Sequence, residues 1–181
     1  MEVVDLDLSG LKLIKPRVFR DSRGFFLETY QASRYGAAGI PETFVQDNHS
    51  RSVRGTLRGL HYQSHPGQAK LVRVVSGRIF DVTLDIRPES PTFGRWHGLY
   101  LDAEAHHQLY IPVGFAHGFC VTSEVADVLY KVSTPYDART ECTIAWNDPE
   151  IGVDWPVQEP VLSARDQNGE SFRDFVRRIR G

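Results

Sequence analysis

Apolar and polar positions alternate every second residue through much of the middle of the chain. Phe80, Val82, Leu84 and Ile86 fall on one face of an extended segment, and Asp81, Thr83 and Asp85 fall on the other. With Leu71 to Val75 before it and Ser76-Gly77 as a tight turn, this pattern predicts a hairpin. A second pairing is predicted between Trp96–Leu101 and Gln108–Ile111, around the polar stretch Asp102 to His107. A third joins His117–Val121 to Val125–Val132 around Ser123-Glu124. Strands recurring at this spacing predict an all-β sandwich or barrel. Helical spacing is confined to the margins. Gln31 to Ala38 predicts a short helix, and Phe172, Phe175, Val176 and Ile179 predict one over Ser171 to Ile179, as a lid or a brace. Pro88 to Pro91 reads as a loop, and there are no internal repeats or low-complexity segments.

Size and charge narrow the classes. At 181 residues the chain fits one domain, 1–181, by a prior of about 100–200 residues per domain. Its net charge of −2, with the two signs interleaved, gives no broad basic field, so a nucleic acid polymer is not an expected partner. Local arginine clusters still suit a small anion. The opening Met1-Glu2-Val3-Val4-Asp5 carries no apolar leader, and no apolar run is long enough to span a bilayer. A soluble, cytoplasmic protein with no membrane partner is therefore expected. Cys120 and Cys142 lie in strand-like runs without a C-x-x-C spacing, which predicts buried reduced thiols with no chemical role.

The candidate chemistry lies in Leu57-Arg58-Gly59-Leu60-His61-Tyr62-Gln63, the Gln68 to Gly77 run, and Ile111-Pro112-Val113-Gly114-Phe115-Ala116-His117-Gly118-Phe119. A small barrel that binds metal through histidines and a glutamate shows His-x-His, then Glu and a Gly, and later Pro-x-Gly-x-x-His. Here that layout reads His61, Gln63, Lys70, Gly77 and His117. An ammonium has three donors and no lone pair, so Lys70 cannot ligate a cation while protonated and repels one. Gln63 is a poor substitute for an imidazole on a transition metal. The expected pocket is metal-free, and two histidines with a fixed cation suit taking a proton from carbon while an oxyanion forms nearby.

His61 is the candidate general base, because histidine has the unperturbed pKa nearest neutrality. Lys70 is the candidate anchor for an enolate oxygen. Tyr130, on the face opposite Leu129, would return a proton if its phenol faces His61 across a substrate. Asp166 reads either as a turn or cap residue or as a carboxylate that fixes the His61 tautomer. Arg23, Arg58 and Arg165 are candidate forks for a diphosphate, provided they converge.

Several blocks, taken in order, closely resemble the dTDP-4-dehydrorhamnose 3,5-epimerase family. They are Asp21-Ser22-Arg23-Gly24-Phe25-Phe26-Leu27-Glu28, Gln46-Asp47-Asn48-His49-Ser50, Leu57 to Gln63, Ser90-Pro91-Thr92-Phe93-Gly94, Ile111 to Phe119, Leu129-Tyr130-Lys131 and Trp146-Asn147-Asp148-Pro149. The similarity extends over nearly the whole chain. It implies a cupin-type jelly-roll barrel with short peripheral helices, working as a homodimer whose N-terminal segment reaches over the partner's barrel. It also implies roles: His61 as base, Asp166 as its dyad partner, Tyr130 as proton donor and Lys70 beside the sugar's keto oxygen. Arg58, His117, Arg165 and Glu141 match substrate-binding positions, and Arg23, Glu28, Gln46 and Asn48 match positions that hold the nucleotide, some across the dimer. Position 165 is Arg where many relatives carry Lys.

The implied activity is epimerisation at carbons 3 and 5 of dTDP-4-dehydro-6-deoxy-D-glucose, giving dTDP-4-dehydro-L-rhamnose, with no metal, nicotinamide or flavin cofactor. Three rivals stand beside it: a sugar-nucleotide epimerase acting at one centre, a metal-dependent cupin isomerase or dioxygenase, and a non-catalytic sugar-nucleotide-binding cupin. Deuterium uptake from solvent, stoichiometric metal, and binding without exchange distinguish them.

Overall fold

Runs rich in β-branched residues such as Leu71 to Val75 and Val125 to Val132 fit a pleated, half-buried surface, and they form strands. The computed structural model describes all 181 residues. Its larger sheet has six strands in the order β1 (Glu2–Asp5), β2 (Lys12–Lys15), β10 (Gln108–Ile111), β7 (Lys70–Ser76), β12 (Val125–Val132) and β5 (Gln46–Val53). The smaller sheet has five, in the order β13 (Glu141–Thr143), β6 (Leu57–Gln63), β11 (Phe115–Val121), β8 (Arg78–Asp85) and β9 (Trp96–Asp102). A separate two-stranded ribbon pairs β3 (Val18–Asp21) with β4 (Gly24–Leu27). All strand pairings are antiparallel. Three short helices, α1 (Ala32–Ala37), α2 (Ala164–Gln167) and α3 (Phe172–Arg180), lie at the periphery.

The three predicted pairings are corrected by this topology. β7 and β8 lie in opposite sheets, as do β9 and β10, and so do β11 and β12. Alternation reports which side chains are buried, and both sheets have a buried inner face, so periodicity does not tell a hairpin from a corner that crosses between sheets. Gly77 makes the first corner at φ +75°, where a Cβ would lie 2.1 Å from the Val125 carbonyl oxygen. Among these strands the consecutive pair that forms a hairpin is β8–β9, running from Arg78 opposite Asp102 to Leu84 opposite Trp96. Its connection contains the predicted Pro88 to Pro91 loop. Asp85 holds that loop, accepting from the Arg87 guanidinium and from the Ser90 and Thr92 hydroxyls at 2.6 Å each.

The inner core joins Val72, Val74, Leu109 and Val128 of the larger sheet to Ile79, Leu101, Phe119 and Val121 of the smaller. The outer face of the smaller sheet, including Leu57, Val82 and Leu84, is covered by Ile151, Trp155, Phe172 and Phe175. On the outer face of the larger sheet, Ile14, Leu71 and Tyr110 pack against Tyr35 and Ile40. The two faces of β8 divide as predicted, yet the polar one points inward: Asp81, Thr83 and Asp85 are all 0 % exposed.

Both predicted helices form. The Gln31 side chain caps α1 by accepting from the Arg34 N–H, and Ser171 caps α3 by accepting from the Asp174 N–H. α3 is a brace on the outer face rather than a lid, because Phe172 and Phe175 point into that core. α2 was not predicted; at four residues it is too short to show a period. Both cysteines are free, and Cys142 is half-buried rather than buried. No helix is long and apolar enough to cross a membrane.

Candidate active site

At the end of the barrel where β6 and β11 face β7 and β12, a cavity of about 360 Å³ is lined by His61, Lys70, His117 and Tyr130, with Gln46, Asn48, Arg58, Glu141 and Arg165 around them. Alternate residues of a strand point the same way, which puts Gln46, Asn48 and Ser50 of β5 on this wall together.

His61 is held from behind. Its Nε2 lies 2.6 Å from Oδ1 of Asp166, which is 3 % exposed. Asp166 also accepts from the Ser163 hydroxyl at 2.6 Å and from the Gly59 N–H at 3.1 Å. Burial pushes the Asp166 carboxyl up, but the hydrogen bonds from His61 and Ser163 outweigh it and hold it below the usual carboxylate range. An ionised carboxylate only accepts, so the shared proton sits on His61 Nε2 and Nδ1 keeps its lone pair. Gly59 lets β6 lie close against β11: it has φ +134°, and a Cβ would lie 2.5 Å from Gly118 Cα. Ser163 also caps α2, so one hydroxyl both starts that helix and grips its buried aspartate.

Lys70 opens β7 and points into the cavity, 7 % exposed, with Nζ donating to the His61 carbonyl at 3.3 Å. Burial pulls its ammonium down to about 8, partly offset by the charges of Glu141 and Asp81. His117 stands opposite His61 across the β6–β11 pairing, and its Nε2 lies 2.8 Å from Asp81 Oδ2. Burial lowers the His117 pKa against the pull of Asp81. Tyr130, half-buried on β12, has its phenol pushed up by burial.

The rim is polar. Glu141 ion-pairs with Arg165 and accepts from the Tyr136 hydroxyl at 2.8 Å. Gln46 donates to Asn48 at 2.8 Å and accepts from the Tyr136 N–H, while Arg58 donates to Ser52 at 3.1 Å. Of the three arginines expected to converge, Arg58 and Arg165 line this cavity and Arg23 does not. Arg23 lies beyond it in the β3–β4 turn, paired with Asp21 at 2.6 Å and 87 % exposed. Glu28 also lies outside, paired with Arg34 at 2.5 Å.

Gln63 is buried behind the wall, holding the 137–140 loop through Thr140 and Asp137. No three His, Cys, Asp or Glu side chains converge where a metal ion would bind. The sequence reading missed Ser50, Gln68, Phe119 and Tyr136 as lining residues, and Asp81 behind them. Ser50 was legible from its alternation with Gln46 and Asn48, whereas Tyr136 sits in an irregular loop with no periodic signal. A second cavity of about 260 Å³ opens beside Arg73 and Gln108, sharing Asn48 and Tyr130, but no histidine lines it.

Fold and site together define a cupin-type jelly roll with an acid–base cavity: an oriented imidazole and a buried ammonium, with a phenol on the facing sheet. Residues 5–174 match the family model described as dTDP-4-dehydrorhamnose 3,5-epimerase. The chain is 51% identical over 176 residues to the dTDP-4-dehydrorhamnose 3,5-epimerase of Pseudomonas aeruginosa, covering 96% of this chain and 97% of that protein. It is 50% identical over 173 residues to the protein of that description in Neisseria gonorrhoeae; the match covers 95% of this chain but only 53% of that longer relative. Among solved structures, the dTDP-6-deoxy-D-glucose-3,5-epimerase of Legionella pneumophila in complex with dTDP-4-keto-L-rhamnose superposes with a TM-score of 0.92 at 47% identity, covering 95% of this chain and 93% of that one. The chain belongs to the dTDP-4-dehydrorhamnose 3,5-epimerase family.

Proposed function

We propose that this chain, as one domain over 1–181, epimerises carbons 3 and 5 of dTDP-4-dehydro-6-deoxy-D-glucose to give dTDP-4-dehydro-L-rhamnose. The observation that carries this reading is the His61–Asp166 pair, with its outer nitrogen free, lining the same cavity as buried Lys70 and Tyr130. The carbon 4 ketone acidifies the hydrogens on both neighbouring carbons. His61 Nδ1 takes one of them, and the electron pair moves onto the carbon 4 oxygen, where the Lys70 ammonium stabilises it. Tyr130 then gives its proton to the opposite face of the carbon. Each cycle leaves His61 protonated and Tyr130 ionised, and proton exchange with solvent resets both. Hydrogen leaves and returns to the same carbon without net oxidation, so the chemistry calls for no metal, nicotinamide or flavin.

Arg58, His117, Glu141 and Arg165 bind the substrate in this reading, with Gln46 and Asn48 holding the nucleotide. Arg23 and Glu28 act on the nucleotide across a homodimer, which fits their distance from the cavity of their own chain. Phe19, Phe25 and Phe26 are exposed on the same ribbon, as a surface that packs against a second copy would be. A nucleotide sugar is too charged to cross a bilayer unaided, and the cytoplasm is the compartment this reading assigns.

Proton NMR in deuterium oxide tests the proposal. The expected result is deuterium uptake with inversion at both carbons. Exchange at one carbon selects the single-centre epimerase, and binding with no exchange selects the non-catalytic module. His61→Asn is expected to lose about 10²–10⁴ in kcat. Tyr130→Phe should still exchange hydrogen with solvent but fail to invert carbon 5.

A further inference from the structure

Two histidine–aspartate pairs stand at this cavity, and the mechanism uses only one of them as acid and base. His61 and His117 are cross-strand neighbours, so their rings lie on the same face. They differ in solvent access: the His61 side chain is 24% exposed and that of His117 is 8%. Behind His117, Asp81 is wholly buried, with Oδ2 at 2.8 Å from His117 Nε2. Its other oxygen, Oδ1, has no partner, and neither has the hydroxyl of Thr83 two residues along the same inward face. An unmatched oxygen on a buried carboxylate lowers stability, so an apolar residue on β8 would give a steadier barrel. A charge kept at such a position points to a use at the site beside it.

A carboxylate only accepts hydrogen bonds, so the contact with Asp81 places the proton on His117 Nε2 and leaves a lone pair on Nδ1. Burial, helped by the positive charge of Lys70, works against a second proton on the ring. Lys70 is within electrostatic reach of two carboxylates, Glu141 foremost and then Asp81. We propose that Asp81 is a positioning residue for the epimerase reading of this site: it fixes His117 as a neutral Nε2–H imidazole that accepts a hydrogen bond from a sugar hydroxyl, and with Glu141 it supplies negative charge that favours the Lys70 ammonium. His117 then does not donate to the keto oxygen, and the developing enolate is left to Lys70.

The test is Asp81→Asn, which keeps the shape and a hydrogen-bonding group while removing the charge. With the fold intact by circular dichroism, kcat is expected to fall roughly 10- to 100-fold. The alkaline limb of the kcat/KM profile should move to lower pH, because Lys70 loses its proton more readily when Glu141 is the one carboxylate left to favour its charge. A merely structural Asp81 would lower Tm or kcat and leave the limb where it was; an unmoved limb overturns the proposal. Should the variant not fold, nitrogen NMR of ¹⁵N-histidine in the wild-type protein reads the ring directly. His117 is expected as one neutral Nε2–H tautomer across about pH 6 to 8; an Nδ1–H tautomer or a doubly protonated ring overturns the assignment. That spectrum needs no substrate, so it stands apart from the epimerase reading, which fails instead if the wild-type protein does not turn over dTDP-4-dehydro-6-deoxy-D-glucose.

Discussion

At the scale of single residues, Lys70 sets function against stability. Its ammonium sits near 8 in the folded protein against an ordinary value of 10.5. A base whose folded pKa is depressed makes the fold less stable at pH below the folded value, and the penalty fades as pH rises from 8 towards 10.5. A depression of this size corresponds to at most about 3 kcal/mol. Lys70→Met is therefore expected to raise the urea-unfolding free energy at pH 7 by up to about that much while losing about 10²–10³ in kcat. A variant that is both less stable and inactive would contradict this. Wild-type kcat/KM should also fall as pH rises through about 8, since only the charged form stabilises an oxyanion. Lys70 and His61 were legible in the sequence because their spacing mirrors a metal-site layout with the wrong chemistry in it. Asp81 was not. Alternation marked it as polar, and polarity on a strand reads as solvent unless something reveals that the barrel interior is polar at one end.

At the scale of elements, the corners decide the topology. Gly77→Ala puts a Cβ against the Val125 carbonyl in a conformation that L-residues avoid, and at least about 2 kcal/mol of destabilisation is expected in urea. An unchanged midpoint would mean that the β7-to-β8 corner can relax. The β8–β9 loop makes the opposite prediction in acid. Burial pushes the Asp85 carboxyl up, yet Arg87, Ser90 and Thr92 outweigh it and bring it to about 2. A depressed carboxyl contributes stability above its unfolded pKa and loses it as pH falls through the folded one. Asp85→Asn should cost about 2 kcal/mol at pH 7, with the gap to wild type closing between about pH 4 and pH 2. A gap independent of pH would assign the loss to packing alone. The strands themselves were legible, because β-branched runs and alternation are local properties. Which strands pair was not, because a short polar connection serves equally as a hairpin or as a crossing between sheets.

For the whole molecule, the β3–β4 ribbon carries the expectation of a dimer. Phe26 is 71% exposed beside exposed Phe19 and Phe25, an arrangement that suits burial against a second copy. Sedimentation is expected to show a dimer, and Phe26→Asp should shift it towards monomer and lower kcat/KM with the barrel intact. A fully active wild-type monomer would remove the partner's role. The fold also bears on how the protein is made. From β5 to β13 every connection except the β8–β9 hairpin crosses from sheet to sheet, so the reacting groups meet only when distant parts of the chain have found each other; His61 and Asp166 are 105 residues apart. Such high contact order makes refolding slow, in the range of milliseconds to seconds or longer. Turnover should return after dilution from denaturant only with the last phase of recovery, which makes catalysis itself the strictest reporter of a completed barrel.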